Sequence, residues 1–60
     1  MNELQRAELK EYLETILDLY SEDEYEELVE DIVYHYCQRK FGVEREVSVQ
    51  TFYELLKEFD

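Results

Sequence analysis

Cys37 and His35 are the single thiol and the single imidazole of this 60-residue chain, so they are the first pair to consider for catalysis. A cysteine–histidine nucleophile requires the imidazole to lie within hydrogen-bonding distance of the sulfur. Both residues belong to a segment with helical periodicity, where side chains two residues apart point roughly 200° away from each other around the axis. The spacing excludes such a dyad within one chain. Cys37 is expected to be a small apolar residue of the buried face.

A metal site is the second chemistry to consider, because Glu27, Asp31 and His35 follow one another at four-residue intervals along one helix edge. A transition-metal site usually takes three or four ligands that are oriented by further hydrogen bonds. The Glu-x-x-His repeats of carboxylate-bridged bundles are missing from this row. An EF-hand loop that began at Asp18 would need glycine where Asp23 stands. The sequence therefore predicts no metal site and no cofactor, and Asp31 with His35 is expected to form a surface pair.

The most unusual segment is Tyr20–Ile32, YSEDEYEELVEDI, which contains seven carboxylates and no base. Acidic residues in a first helical turn are favoured by the helix macrodipole, which accounts for three of the seven. The others are not favoured locally, because Glu22 with Glu26, and Asp23 with Glu27, are like-charge pairs four residues apart. Two interpretations remain open: a solvated acidic face, or a face that binds a cationic partner.

The functional interpretation is a non-enzymatic regulator that binds and inhibits or modulates a basic protein. Ten carboxylates and no base lie between Glu11 and Asp31, about one charge per 3 Å of helix, against one per about 1.7 Å in duplex DNA. The similar density suggests a DNA mimic that occupies a nucleic-acid-binding surface. Tyr34 lies opposite the buried stripe of its helix and is a candidate anchor. The candidate partner-binding residues are Glu22, Asp23, Glu26, Glu27, Glu30, Asp31 and Tyr34.

An alternative from a different class is a structural homodimer, in which the charge serves only solubility. The apolar residues of the first predicted helix span roughly 160° of its circumference, which is wider than the ~100° stripe of an ordinary surface helix. Two chains that shared this face would bury it between them. Neither interpretation makes the protein an enzyme.

Composition limits the partners and the compartment. The 17 acidic and 6 basic residues give a net charge of −11, which disfavours direct binding to nucleic acid or to an anionic membrane. A lone cysteine cannot form an internal disulfide, and the charged first ten residues lack the apolar run of a signal peptide. We therefore expect a cytoplasmic protein with a single domain over residues 1–60.

Hydrophobic periodicity predicts the elements that position these residues: an all-α, three-helix bundle made of a helical hairpin and a short C-terminal helix. Helix one is expected over about residues 3–20. Ser21 and Glu24 form an S-x-x-E capping box that starts helix two, which runs to about Phe41 and ends at Gly42. Residues 43–47 are expected to be a short extended run, and Ser48 is expected to cap helix three over about 49–59.

The predicted inward faces follow from the same periodicity. They comprise, for the first helix, Leu9, Tyr12, Leu13, Ile16, Leu17, Leu19 and Tyr20; for the second, Tyr25, Leu28, Val29, Ile32, Val33, Tyr36 and Cys37; and for the third, Val49, Phe52, Leu55, Leu56 and Phe59.

Overall fold

Helices form every regular element over residues 1–59, the part of the chain that the computed structural model describes. Helix α1 spans Glu3–Ile16, α2 spans Glu30–Phe41 and α3 spans Arg45–Glu58. The predicted all-α, three-helix architecture is confirmed, with a radius of gyration of 10.4 Å. None of the helices in this range combines the length and the apolar character needed to cross a bilayer.

Helix α1 begins at a capping box between Asn2 and Gln5. The Gln5 N–H donates to Asn2 Oδ1 at 2.8 Å, and the Asn2 N–H donates to Gln5 Oε1 at 3.2 Å, so two backbone donors at the helix start are satisfied. The α-helix ends at Ile16 and tightens into a 3₁₀ turn over Leu17–Leu19. It is therefore shorter than the predicted range to residue 20.

The predicted capping box of helix two is present. Glu24 Oε1 accepts hydrogen bonds from the Ser21 N–H at 3.0 Å and from the Ser21 hydroxyl at 3.1 Å. The helical path begins there, but it winds first as a 3₁₀ turn over Glu22–Glu24 and then as a π-helical turn over Tyr25–Val29. Regular α-helix starts only at Glu30. The acidic residues in the range 22–29 therefore lie in an irregularly wound extension that precedes α2.

Gly42 ends α2 in the left-handed conformation that the sequence predicts, with φ of +68°. Its N–H donates to the carbonyl oxygens of Cys37 and Gln38, both at 3.1 Å. These bonds satisfy acceptors that the end of a helix leaves free. The chain can then turn into α3 within three residues.

The predicted start of helix three is wrong. No extended run occurs over residues 43–47, because the helix already begins at Arg45. Ser48 is fully buried inside α3, and its hydroxyl donates to the carbonyl oxygens of Glu44 and Arg45 at 3.1 and 3.0 Å. A small serine that satisfies its hydroxyl within its own helix can face the core, where the helices come close together. It therefore belongs to a buried row at helical spacing: Ser48, Thr51, Phe52 and Leu55.

The core combines residues of all three helices with the π-helical turn. Tyr12 and Tyr36 cover it on one side, with ring centroids 3.9 Å apart and planes at 6° to each other. Three predicted core residues are wrong: Leu19 is 73% exposed, Leu28 is 48% exposed, and Phe59, just past the end of α3, is 38% exposed. Leu19 turns outward because α1 has given way to the 3₁₀ turn, and Leu28 lies beside the packed row of the second helix rather than in it. The buried apolar residues are Leu9, Leu13, Ile16, Val29, Val33, Cys37, Phe52 and Leu55.

Candidate functional site

Four carboxylates in the 3₁₀ and π-helical turns that precede α2 form an open acidic surface, here called the acidic face: Glu22, Asp23, Glu26 and Glu27. All four are exposed, and none forms an ion pair with any residue between 1 and 59. The Ser21–Glu24 capping box fixes the first turn that carries them. Because the backbone N–H groups of that turn point toward its start, the local dipole stabilises Glu22 and Asp23 there.

The other three predicted site residues are held by one cation from the third helix. The Arg45 guanidinium lies 3.7 Å from Glu30 Oε1 and 3.5 Å from Asp31 Oδ1, and it sits over the Tyr34 ring at 5.2 Å from the centroid. This contact combines charge pairing with a cation–π interaction on a partly exposed surface. The structure thus divides the seven predicted residues into four open carboxylates and three that contact Arg45.

The contact between Arg45 and these residues was not predicted. The sequence from Glu11 to Asp31 contains no base, and Arg45 was expected to lie in the connection before the third helix. The sequence does contain an indication of the earlier start. Ser48, Thr51, Phe52 and Leu55 have helical spacing, which places Ser48 inside a helix that begins before it.

Glu30 contacts a second residue of α3 besides Arg45. Its Oε2 accepts a hydrogen bond of 2.7 Å from the Tyr53 hydroxyl, and its side chain is only 21% exposed. This hydrogen bond, with smaller effects from burial and from the charges of Glu30 and Glu26, raises the pKa of Tyr53 to about 12. Glu30 therefore joins the first turn of α2 to α3.

A shallow groove of about 290 Å³ adjoins the acidic face, lined by Glu22, Tyr25, Glu26, Tyr53 and Leu56. Two carboxylates and two aromatic rings are the groups that pair with a lysine or arginine side chain through charge and cation–π contact. The arrangement can therefore receive a cationic side chain from a partner.

The thiol and the imidazole lie in different environments. Cys37 is fully buried, and burial raises the pKa of its thiol to about 11. His35 is exposed on the surface, where its ring lies 5.0 Å from that of Tyr34. Among residues 1–59, no group of three or more His, Cys, Asp or Glu side chains is arranged to hold a metal ion.

No protein-family model matches the chain, and no curated protein or solved structure is significantly similar to it.

Proposed function

We propose that the chain is a non-enzymatic acidic regulator, which binds a basic protein through the acidic face and thereby inhibits or modulates it. The observation that carries this proposal is that Glu22, Asp23, Glu26 and Glu27 are exposed and have no cationic partner within residues 1–59. Uncompensated charge on adjacent turns costs some helix stability and creates a field that attracts cationic surfaces.

The use of cations elsewhere in the chain supports the proposal. Arg6 lies 2.7 Å from Glu54, Lys10 lies 3.1 Å from Glu58, and Lys40 lies 3.7 Å from Glu8. A surface that serves only solubility mixes charges of both signs, as these regions do. The acidic face differs from them, although an arginine or lysine at any of its exposed positions would be compatible with the fold.

Among basic proteins, those that bind nucleic acid best match the spacing of the negative charges in this part of the chain. Their grooves are lined with lysine and arginine to neutralise phosphates, and they meet about one charge per 1.7 Å of duplex. The acidic segment presents carboxylates at a comparable spacing along a helical path. The proposal is therefore a DNA mimic that acts in the cytoplasm, where a lone thiol such as Cys37 stays reduced.

The test is competition with DNA. The immobilised chain is used to capture proteins from a native lysate at low ionic strength, and duplex DNA is used for elution. We expect retained proteins to be basic, to be displaced by DNA, and to bind more weakly as salt increases. A triple variant, Glu22→Gln with Asp23→Asn and Glu26→Gln, should lose them.

The matched control removes three exposed carboxylates from other parts of the surface, Glu3→Gln with Glu14→Gln and Glu46→Gln. It has the same net charge as the first triple variant and should retain the partner. Equal loss by both variants would show that only total charge matters, and retention by both would refute the role of the acidic face.

The second candidate is a self-associating module whose charge serves solubility. The apolar face of α1 is largely used within the chain, because Leu9, Leu13 and Ile16 are buried in its own core. The observation that favours self-association is instead the exposed leucines, Leu4 at 77%, Leu19 at 73% and Leu28 at 48%.

A further inference from the structure

An exposed stripe with apolar residues runs along the second helix, separate from its buried row. Ile32, His35 and Arg39 lie within roughly 60° of arc on a helix of 3.6 residues per turn, and Leu28 continues the stripe one turn earlier. Leu28 is 48% exposed, Ile32 is half-buried, and His35 and Arg39 are exposed. About half of the Leu28 side chain is therefore left in contact with solvent, although a leucine gains free energy from burial.

A groove lies directly beside this stripe, between α1 and α2. Its volume is about 510 Å³, and most of its exposed lining is apolar. The stacked rings of Tyr12 and Tyr36 form one wall, and this wall is rigid because the two rings pack against each other at 3.9 Å. Cations line the rim. The lining residues are Tyr12, Ile32, His35, Tyr36, Arg39 and Lys40.

Charge changes sign along the stripe. Before Ile32 it is flanked by the carboxylates Glu27 and Asp31, and after Ile32 it contains Arg39 and is flanked by Lys40. Arg39 forms no ion pair with any residue from 1 to 59, and neither does Glu27. Within residues 1–59, Lys40 forms one ion pair, a long contact of 3.7 Å to Glu8, and it lies over the Tyr36 ring at 5.6 Å from the centroid. A helix that is acidic in its first half and basic in its second half is complementary to a copy of itself in the opposite direction.

We propose that a second copy of this chain occupies the groove, with the two second helices antiparallel about a two-fold axis between Ile32 and His35. Leu28 and Arg39 lie equally far from that point, about 8 Å along the helix axis. Glu27 precedes Leu28 by one residue and is therefore at nearly the same height as Arg39 of the other chain. Each Leu28 then packs on the other chain against the aliphatic part of Arg39, while each Glu27 lies beside the guanidinium of that same arginine.

Two-fold symmetry closes this interface at a dimer, because the same surface is used by both copies. The interface differs from the dimer that the sequence predicts, which uses α1. It goes beyond the proposed function: Glu22, Asp23 and Glu26 of the acidic face are outside the interface, and Glu27 is the one residue that the two proposals share.

The test is sedimentation of the full chain over a concentration series up to about 1 mM, where weak association becomes visible. We expect the average mass to rise from one chain toward two and no further. Glu27→Arg and Arg39→Glu, each alone, place like charges across the interface and should weaken the dimer by at least about tenfold. Leu28→Ser should also weaken it.

Mixing gives the sharper result. Glu27→Arg chains mixed with equal amounts of Arg39→Glu chains should form a one-to-one dimer, because each arginine pair then meets a glutamate pair. One chain that carries both substitutions should dimerise with itself. Glu14→Arg, an exposed reversal outside the stripe, is the control and should dimerise like the unchanged chain. Circular dichroism establishes that each variant is folded.

A chain that stays monomeric throughout the series overturns the proposal. So does a dimer that Glu27→Arg, Arg39→Glu and Leu28→Ser leave unchanged, or a mixture in which the two single variants remain monomers. Growth beyond two chains would refute the two-fold arrangement. Because the DNA-competition triple variant retains Glu27, failure of the dimer and failure of the proposed function are observed separately.

Discussion

The Tyr53 hydroxyl donates a 2.7 Å hydrogen bond to Glu30 Oε2, and this bond joins α3 to the first turn of α2. It is the one side-chain hydrogen bond found between these two helices in residues 1–59. Glu30 accepts it where the irregularly wound acidic segment becomes regular α-helix. The contact therefore fixes the position of the acidic face relative to the rest of the bundle.

Tyr53→Phe should lower the free energy of unfolding by about 1 kcal/mol, because a partly buried carboxylate loses a hydrogen-bond donor. In a chain of this size that change corresponds to a fall in Tm of about 4–8 °C. Thermal unfolding followed by circular dichroism measures it. Tyr34→Phe is the control, since the Tyr34 hydroxyl makes no hydrogen bond within residues 1–59 and its ring under Arg45 is retained. Equal losses in both variants would contradict the role of the bond.

The same hydrogen bond predicts a dependence of stability on alkaline pH. The pKa of Tyr53 is raised from 10.0 to about 12, so above pH 10 the folded chain holds a proton that the unfolded chain releases. The resulting stabilisation is complete below pH 10 and is lost as the pH rises through about 12. Subtracting the pH profile of Tyr53→Phe from that of the unchanged chain isolates this contribution. A difference that stays constant over this range would show that Tyr53 titrates normally.

Arg45→Met should lower the free energy of unfolding by about 0.5–1 kcal/mol, because the ion pairs that it removes are largely exposed. Arg45 contacts Glu30, Asp31 and the Tyr34 ring together, so Arg45→Lys should recover only part of the loss. Urea denaturation at low and high salt measures both variants. The difference between the unchanged chain and Arg45→Met should shrink at high salt, and a difference that salt does not alter would identify packing as its cause.

Glu26→Gln should stabilise the chain by a few tenths of a kcal/mol, because Glu26 has a carboxylate four residues before it and another four residues after it. Glu14→Gln is the matched control, since Lys10 lies four residues before Glu14 and Asp18 four residues after it. Denaturation at low ionic strength compares the two. If Glu26→Gln destabilises the chain, the acidic face makes a favourable contact that its geometry does not show.

Cys37 should react slowly with thiol reagents in the folded chain. It is fully buried, and burial raises the pKa of its thiol to about 11, so little thiolate is present at neutral pH. Labelling with a disulfide reagent, with and without denaturant, measures the difference. The rate should increase by orders of magnitude when the chain unfolds. Equal rates in the two conditions would mean that the core around Cys37 opens readily.

The local sequence determined the helix boundaries wherever a specific backbone group was satisfied by nearby residues. The Ser21–Glu24 capping box and the left-handed Gly42 are both as predicted, since each depends on hydrogen bonds within five residues. Helical periodicity likewise identified three helices and most of the core. Such contacts are local, so a single sequence contains the information needed to predict them.

The tertiary structure decided what lies beyond that range. Serine is a common helix cap, but packing against the other helices buries Ser48 inside α3. Helical spacing predicts that Leu28 is buried, but the face that packs in the core is formed by Val29, Val33 and Cys37, and Leu28 stays 48% exposed. Arg45 shows the effect on the site: it is 14 residues from Asp31 in the sequence and 3.5 Å from it in the fold. Because charge pairing depends on distance in space, only the packing of α3 on α2 determined which carboxylates stay open.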